Sequence, residues 1–215
     1  MIEPISVLVA DDHALMREGL VELLKKYTDI TVVATAANGR EAVQLVREHR
    51  PQVAIFDISM PELNGIDATR ELAQQAPGVR VLILSMHAGA QHIMQALAAG
   101  AHGYLLKQSA SEEVAGAVRV VAAGRRYLSP EVSGVLVKQR GRPPVVGLLE
   151  TLSSRERQIM QLVAEGRSST AIGLDLHLSP KTVDTYRSRL MQKLRVKDVS
   201  ALIKLAILHG LTPLE

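Results

Sequence analysis

The first 124 residues alternate between short apolar runs and longer amphipathic segments. The apolar runs are rich in β-branched residues and predict five strands, at about 5–10, 31–36, 53–56, 80–84 and 102–106. The segments between and after them have helical spacing and predict five helices, at about 14–26, 39–49, 65–75, 89–99 and 112–123. Because strands and helices alternate, we expect a parallel sheet with helices on both of its faces.

Polar residues follow four of these predicted strands. Asp11 and Asp12 follow the first strand, Asp57 the third, Ser85 the fourth and Lys107 the fifth. Five parallel strands in about 125 residues are typical of a flavodoxin-like α/β domain, whose ligands bind outside the carboxyl ends of the strands. The pattern therefore predicts that these five side chains meet in one polar pocket.

The chemistry of this residue set favours transfer of a phosphoryl group to a carboxylate. Adjacent carboxylates repel each other, and a hard divalent cation with oxygen ligands, such as Mg²⁺, relieves that repulsion. An aspartate can form an acyl phosphate, which the cation, Lys107 and the Ser85 hydroxyl would stabilise. One aspartate at a strand end is usually a cap or turn residue, but matching chemistry at several strand ends makes that explanation weak.

Four motifs of this part resemble the receiver domain of bacterial two-component response regulators. They agree in order and spacing over about residues 5–124, and they are Val9-Ala10-Asp11-Asp12-His13, Phe56-Asp57-Ile58-Ser59-Met60-Pro61, Leu84-Ser85-Met86-His87 and Gly103-Tyr104-Leu105-Leu106-Lys107.

The resemblance implies a role for each residue of the predicted pocket. Asp57 would be the phosphoacceptor, with a sensor histidine kinase as the phosphodonor. The ligands of Mg²⁺ would be Asp11, Asp12, Asp57 and the main-chain carbonyl of Ser59. The residues that stabilise and sense the phosphoryl group would be Ser85 as the switch hydroxyl, Tyr104 as the rotating aromatic residue and Lys107 as the phosphate-pairing lysine.

Two further positions should tune the lifetime of the phosphoryl group. Ser59 lies two residues after Asp57, and His87 lies two residues after Ser85. In this fold both side chains are expected to lean over the phosphoryl group and to control the access of water. The competing interpretation is that both are tolerant loop positions.

The chain after the receiver-like part changes character. Ser129-Pro130 is a favourable helix start and predicts a short helix near 130–139, while Arg140-Gly141-Arg142-Pro143-Pro144 reads as an exposed linker. We therefore divide the chain into a receiver domain (1–124), a linker (125–150) and a C-terminal domain (151–215).

The C-terminal domain is predicted to be all-α, with four helices. A capping box, Ser153-Ser154-Arg155-Glu156, opens the first helix, which Gly166 ends. Further helices are expected over about 169–176, 180–194 and 199–209. Two short helices and a tight turn before a longer basic helix predict a helix-turn-helix.

This domain resembles the LuxR-type DNA-binding domain, and a receiver followed by it is the architecture of the NarL/FixJ class of response regulators. In the third helix Val183, Tyr186, Leu190 and Leu194 should pack inward. The residues expected to contact DNA are Lys181, Thr182, Asp184, Thr185, Arg187, Ser188, Arg189 and Lys193. Many relatives have Gly where this chain has Arg195, and Ala where it has Gly173. We expect Gly173 to make its helix less stable than Ala would.

The last helix is apolar on nearly all sides. One face can cover the helix-turn-helix, and the other face would be exposed in a monomer. We therefore expect a symmetric dimer on activation, with Val199, Ile203 and Ile207 in its interface.

Charge and composition narrow the classes of function. Residues 1–139 carry 13 basic and 15 acidic side chains, whereas residues 140–215 carry 12 and 7, which favours a polyanion as partner of the C-terminal part. Cysteine is absent and aromatic residues make up 2%, so a thiolate site is excluded and a stacking pocket is disfavoured. With no signal-peptide pattern and no run of about 18 apolar residues, we expect a cytoplasmic protein without a membrane partner.

The resulting expectation is a transcription regulator that phosphorylation of Asp57 switches to a DNA-binding dimer. It would not be an enzyme beyond self-phosphorylation from a phosphodonor and autodephosphorylation, and RNA polymerase is a further candidate partner. An aspartate-nucleophile phosphatase usually has a second acid where Ser59 stands. A small-ligand quorum sensor and a phosphorylation-independent regulator remain open alternatives.

Overall fold

The computed structural model describes residues 3–139 and 148–212. The chain divides into two units, Met1–Pro143 and Pro144–Glu215, and each unit has its own hydrophobic core. The predicted exposed linker 140–144 lies outside the described residues. Within the described part, no helix combines the length and the apolar character that are needed to cross a bilayer.

The first unit alternates strands and helices as the sequence predicts. Its strands are β1 (Ile5–Ala10), β2 (Ile30–Ala36), β3 (Val53–Phe56), β4 (Arg80–Ser85), β5 (Gly103–Leu106) and β6 (Tyr127–Leu128). Its helices are α1 (Ala14–Leu24), α2 (Gly39–His49), α3 (Gly65–Gln75), α4 (Ala90–Ala99), α5 (Ala110–Ala122) and α6 (Pro130–Gln139). The strands form one parallel sheet in the order β2-β1-β3-β4-β5-β6.

The sheet has six strands, so the prediction of five is wrong by one. β6 pairs with β5 through Gly103–Tyr127 and Tyr104–Leu128. A strand of two residues is too short to show the alternation on which sequence prediction depends. The parallel α/β class of the first unit and the helical class of the second are confirmed.

Helices cover both faces of the sheet, and this explains why its strands are apolar on both sides. Along β1, Leu8 packs into a cluster with α2, α3, α4 and α6, whereas Val7 and Val9 pack into a second cluster with α1 and α5. The direction of chain winding reverses between β1 and β3. Ligands bind at such a switch point because the loops on either side diverge and leave a crevice.

The second unit is a bundle of four α-helices around one core. They are α7 (Ser154–Ala164), α8 (Ser169–Leu176), α9 (Pro180–Lys193) and α10 (Val199–Leu208), and a short 3-10 helix, Leu148–Thr151, precedes them. Side-chain oxygens cap the first turn of every one of these α-helices, from Ser153, Ser168, Ser179 and Asp198. The capping box of α7 is formed as the sequence predicts.

Gly173 has a packing role that its low helix propensity conceals. A Cβ at this position would lie 2.6 Å from the carbonyl oxygen of Leu178, in the turn that joins α8 to α9. The same turn is fixed by a hydrogen bond from the Leu178 amide to the Gly173 carbonyl, at 2.8 Å. The missing side chain therefore allows the tight turn of the helix-turn-helix.

The end of α9 stores backbone strain at Arg195. This residue has a φ of 55°, in the left-handed region. The residues that adopt a left-handed conformation after α7 and α10 are glycines, Gly166 and Gly210. The Arg195 and Val196 amides donate to the carbonyls of Gln192 and Met191, which is the hydrogen-bond pattern of a glycine-terminated helix end.

We predict that Arg195→Gly raises the free energy of unfolding of the second unit by about 1 kcal/mol, because the Cβ that opposes the left-handed conformation is removed. Arg195→Ala is the matched control, since it removes the same charge but keeps the Cβ. Hydrogen exchange of the α9 amides in the full-length chain measures the effect. An equal change in both variants would show that the charge, and not the backbone, is responsible.

Candidate functional site

The carboxylates of Asp11 and Asp57 meet where β1 and β3 end. Each follows the last residue of its strand, and the Asp57 amide donates to the Ala10 carbonyl at 2.9 Å. Both residues are nearly inaccessible, with 1% and 4% of their surface exposed, whereas the Asp12 side chain is 19% exposed. Two acids are therefore buried side by side, and a third lies at the entrance.

The ammonium group of Lys107 pairs with both buried carboxylates. Its Nζ lies 2.7 Å from Asp11 Oδ2 and 2.9 Å from Asp57 Oδ2. Lys107 follows β5 and is itself 5% exposed. Asp57 Oδ1 accepts a hydrogen bond from the Ile58 amide at 2.7 Å, so both oxygens of this carboxylate have a donor.

Burial and neighbouring charge act in opposite directions on the pKa values of this cluster. Desolvation raises the pKa of Asp57, the attraction of Lys107 opposes that rise, and repulsion from Asp11 adds to it. Burial alone would lower the pKa of Lys107, but its attraction to Asp57 and Asp11 reverses the effect, so its pKa is raised. The lysine is therefore held in its charged form, between the two carboxylates.

The donor set suits a hard divalent cation. Ligand atoms of Asp11, Asp12, His13 and Asp57 all lie within 4.8 Å of one another, and three of these side chains supply carboxylate oxygens. His13 had no role in the sequence prediction. Its amide donates to Asp11 Oδ1 at 2.9 Å, and its Nδ1 lies 2.7 Å from Asp12 Oδ1, so it orients both acids.

The loop after β3 depends on Gly65, which the sequence pattern did not single out. A Cβ at Gly65 would lie 1.9 Å from the carbonyl oxygen of Asp57. The Gly65 amide donates to the Ile58 carbonyl at 2.9 Å, and the Asn64 side chain caps α3 by accepting from the Asp67 amide. The start of α3 therefore presses directly on the phosphoacceptor candidate. A glycine directly after a capping asparagine was the available signal.

Hydrogen bonds join Ser85, His87 and Tyr104 into one network. The His87 amide donates to Ser85 Oγ at 3.0 Å, and the Tyr104 hydroxyl donates to the His87 carbonyl at 2.5 Å. Burial raises the pKa of the Tyr104 hydroxyl, a hydrogen bond with Ser85 opposes the rise, and the charge of Asp57 adds to it. Ser85 and Tyr104 are both fully buried, so the aromatic ring is directed into the fold.

Ser59 and His87, the two residues predicted to tune the lifetime of the phosphoryl group, contact each other. Ser59 Oγ lies 3.2 Å from His87 Nε2, which joins the loop after β3 to the loop after β4. The His87 ring also stacks on His92 of α4, with ring centroids 4.5 Å apart and planes 16° apart. No pattern along the sequence indicates a role for His92.

The residues predicted to contact DNA lie along α9, and all three of their hydroxyl groups already have partners. Thr182 contacts the capping Ser179 at 2.8 Å. The hydroxyls of Thr185 and Ser188 donate to carbonyls one turn earlier, at 2.9 and 3.0 Å. Lys181 and Arg189 are exposed, and Val183, Leu190 and Leu194 are buried as predicted. Lys181 and Arg189 therefore place exposed positive charge on α9.

Three of the residues predicted to contact DNA also bond to neighbouring helices. Ser169 of α8 donates to Asp184 Oδ1 at 2.6 Å and accepts from the Arg187 guanidinium at 3.0 Å. Lys193 Nζ lies 3.0 Å from Glu156 Oε2 of α7. These contacts fix the angle of α9 relative to α7 and α8. The capping-box motif identifies Glu156 in the sequence. It does not predict the contact of Glu156 with Lys193, because that contact depends on tertiary structure.

The residues predicted to form a dimer interface lie on α10. Val199 packs partly against the core of the second unit, while Ile203 and Ile207 are half-buried. Leu208 is 76% exposed, and Leu202 and Ala206 on the other side of the helix are buried. The helix thus keeps partly exposed apolar side chains after the core has formed.

Two family models together match most of the chain. The response regulator receiver domain matches residues 7–119, and the luxR family of bacterial regulatory proteins matches residues 150–206. The first match ends close to the end of α5, and the second spans the four helices of the second unit almost completely.

Known proteins resemble the chain over nearly its full length. It is 36% identical to the transcriptional regulatory protein DegU of Brevibacillus brevis, over 96% of this chain and 94% of that protein. It is also 36% identical to the response regulator UvrY of Escherichia coli, over 98% and 97%. The solved complex of the response regulator RcsB with DNA is 25% identical, with a TM-score of 0.61 over 94% of this chain and 98% of that one.

We predict that Lys107→Met destabilises the first unit by about 3 kcal/mol, because two buried carboxylates lose their shared cation. Lys138→Met is the matched control, since Lys138 is exposed on α6. Denaturant unfolding of the full-length chain in the absence of divalent cations measures the difference. Equal midpoints for the two variants would contradict the importance of this ion pair.

Proposed function

The chain belongs to the bacterial response regulators that join a receiver domain to a LuxR-type DNA-binding domain. We propose that phosphorylation of Asp57 controls the binding of this protein to promoter DNA. The observation that carries the proposal is the buried cluster in which Lys107 pairs with Asp11 and Asp57. Such a cluster neutralises and orients a nucleophilic carboxylate at the switch point of the sheet.

In the proposed reaction an Asp57 carboxylate oxygen attacks the phosphorus of a phosphohistidine on a sensor kinase. The new bond joins that oxygen to phosphorus, while the phosphorus–nitrogen bond breaks and its electron pair returns to the kinase imidazole. Lys107 is placed to pair with an oxygen of the incoming group as its contact with Asp57 loosens. Positioning and charge stabilisation of this kind supply most of the catalysis in phosphoryl transfer.

The acidic residues fit the Mg²⁺ site that the family implies. Asp11, Asp12, Asp57 and the main-chain carbonyl of Ser59 would hold the ion, which when bound supplies positive charge to the phosphoryl oxygens. His13 keeps the two neighbouring acids in place through its amide and its ring.

The network of Ser85, His87 and Tyr104 is the proposed switch. In the unphosphorylated chain the Ser85 hydroxyl bonds to Tyr104, and Tyr104 in turn bonds to the His87 carbonyl. A phosphoryl oxygen on Asp57 is a stronger hydrogen-bond acceptor than a phenol. The Ser85 hydroxyl would therefore donate its hydrogen bond to the phosphoryl group in place of Tyr104. Tyr104 would then lose one of its partners, and the surface formed by α4, β5 and α5 would repack.

Ser59 and His87 are proposed to set how long the signal lasts. Their contact of 3.2 Å spans the pocket between the two loops that flank Asp57 and Ser85. The chain needs no substrate beyond its phosphodonor, because its chemistry is self-phosphorylation and autodephosphorylation. The phosphatase alternative needs an acid at position 59, where this chain has a serine that bonds to a histidine.

The second unit is proposed to bind double-stranded promoter DNA through α9 and to dimerise through α10. Exposed Lys181 and Arg189 would neutralise phosphates, and the contacts of Arg187 and Lys193 with α8 and α7 would hold α9 in position for the major groove. Solved structures of RcsB include two dimers bound to two parallel DNAs. Promoter DNA as the target also implies action in the cytoplasm, where RNA polymerase is available as a further partner.

We predict that beryllofluoride or acetyl phosphate with Mg²⁺ converts the wild type to a dimer and raises its DNA affinity at least tenfold, about 1.4 kcal/mol. DNA sites would be selected beforehand from random duplexes. Asp57→Asn, in which the acceptor oxygen is replaced, should show neither change. Light scattering and fluorescence anisotropy measure both effects, and an equal response in the two proteins would refute the switch.

We predict that Asp184→Asn relaxes specificity at one base pair, because a carboxylate can accept a hydrogen bond from a cytosine amino group, worth about 1–3 kcal/mol of discrimination. Asp175→Asn is the control, since it removes the same charge from the exposed surface of α8. Competitive binding to single-base variants of the selected site measures specificity. An unchanged base preference in Asp184→Asn would assign Asp184 only to the contact with Ser169.

A further inference from the structure

His87 is the residue at which the contacts of the pocket converge. Its amide donates to Ser85, its carbonyl accepts from Tyr104, and its ring nitrogen contacts Ser59. The first two contacts fix the backbone, but they leave the side chain free to rotate. The position of the ring therefore needs a separate constraint.

His92 supplies that constraint from a rigid element. It is the third residue of α4, and the next residue, Ile93, is fully buried together with Ala96. The helix is thus anchored in the core, and the His92 ring projects from it to stack on His87 at a centroid distance of 4.5 Å. Stacking fixes the plane of the His87 ring while its Nε2 edge stays available to Ser59.

We propose that His92 is a positioning residue that prolongs the life of the phosphoryl group on Asp57 by holding the His87 ring against Ser59. The inference rests on the proposed phosphorylation of Asp57. It goes beyond that proposal by assigning a role to a residue of α4 that contacts the His87 ring.

The physical basis is the access of water to phosphorus. In autodephosphorylation the oxygen of a water molecule bonds to phosphorus as the bond from phosphorus to the Asp57 oxygen breaks. The electron pair of that bond returns to the carboxylate, one proton of the water stays on the released phosphate and the other passes to solvent. Water has to approach opposite the leaving carboxylate. In the proposal the Ser59–His87 contact lies on that side, because it joins the loops that follow β3 and β4. Loss of the stack lets the His87 ring turn away and opens the approach.

The test follows the decay of the acyl phosphate in the full-length chain after acetyl phosphate is removed. His92→Ala should shorten the half-life about two- to tenfold, the range that one aromatic ring contact supports. His92→Phe keeps a ring and should retain the wild-type half-life. Met94→Ala is the control for the surface of α4, because Met94 is exposed on the same helix and should have no effect.

A double-variant comparison shows whether His92 acts through His87. His87→Ala should shorten the half-life, and the addition of His92→Ala should shorten it no further. Additive effects, or an unchanged or longer half-life in His92→Ala, would overturn the proposal. Failure of the wild type to form any acyl phosphate would instead refute the proposed function, on which the inference depends.

Ring signals of His87 give a readout that a loss of general stability does not produce. In the unphosphorylated chain the imidazole ¹H–¹⁵N resonances of His87 should move in His92→Ala and return in His92→Phe. Resonances that stay unchanged in His92→Ala would show that the stack does not position His87, whatever happens to the half-life.

Discussion

The first unit depends on one electrostatic constraint, the neutralisation of two buried carboxylates by Lys107. Asp11 and Asp57 end adjacent strands, so the parallel pairing of β1 with β3 forces them together. Without a cation each would lose hydration and repel the other, which costs several kcal/mol per ion. Lys107 reaches both from the end of β5, on the far side of β4. The register of three strands therefore serves a charge cluster as well as a core.

The same cluster is connected to the end of the first unit through Tyr104. Its hydroxyl bonds to the His87 carbonyl, while its backbone pairs with Leu128 of β6 and accepts from the Ser129 amide. Ser129 directly precedes α6, whose Val132 is buried against the sheet. A change in the position of Tyr104 thus has a direct physical route to the last helix of this unit.

The second unit uses its polar residues for two purposes at once. Glu156 caps α7 and also pairs with Lys193, while Ser169 bonds to both Asp184 and Arg187. These hydrogen bonds to charged groups hold α7, α8 and α9 at defined angles to one another, so that α9 presents a preformed surface. Binding of a polyanion then needs little ordering of side chains, which lowers its entropic cost.

The sequence by itself determined the class of both units and most element bounds, because periodicity and caps are local signals. It also singled out Asp11, Asp57 and Lys107 at strand ends, and the structure brings their charged groups together. Only the tertiary structure decided the residues whose role depends on distant neighbours. β6 is recognisable only beside β5, and Gly65 and Gly173 are required only because a distant or neighbouring carbonyl lies where a Cβ would be. His92 meets His87 because a helix start returns to the pocket, and no pattern along the chain encodes that approach.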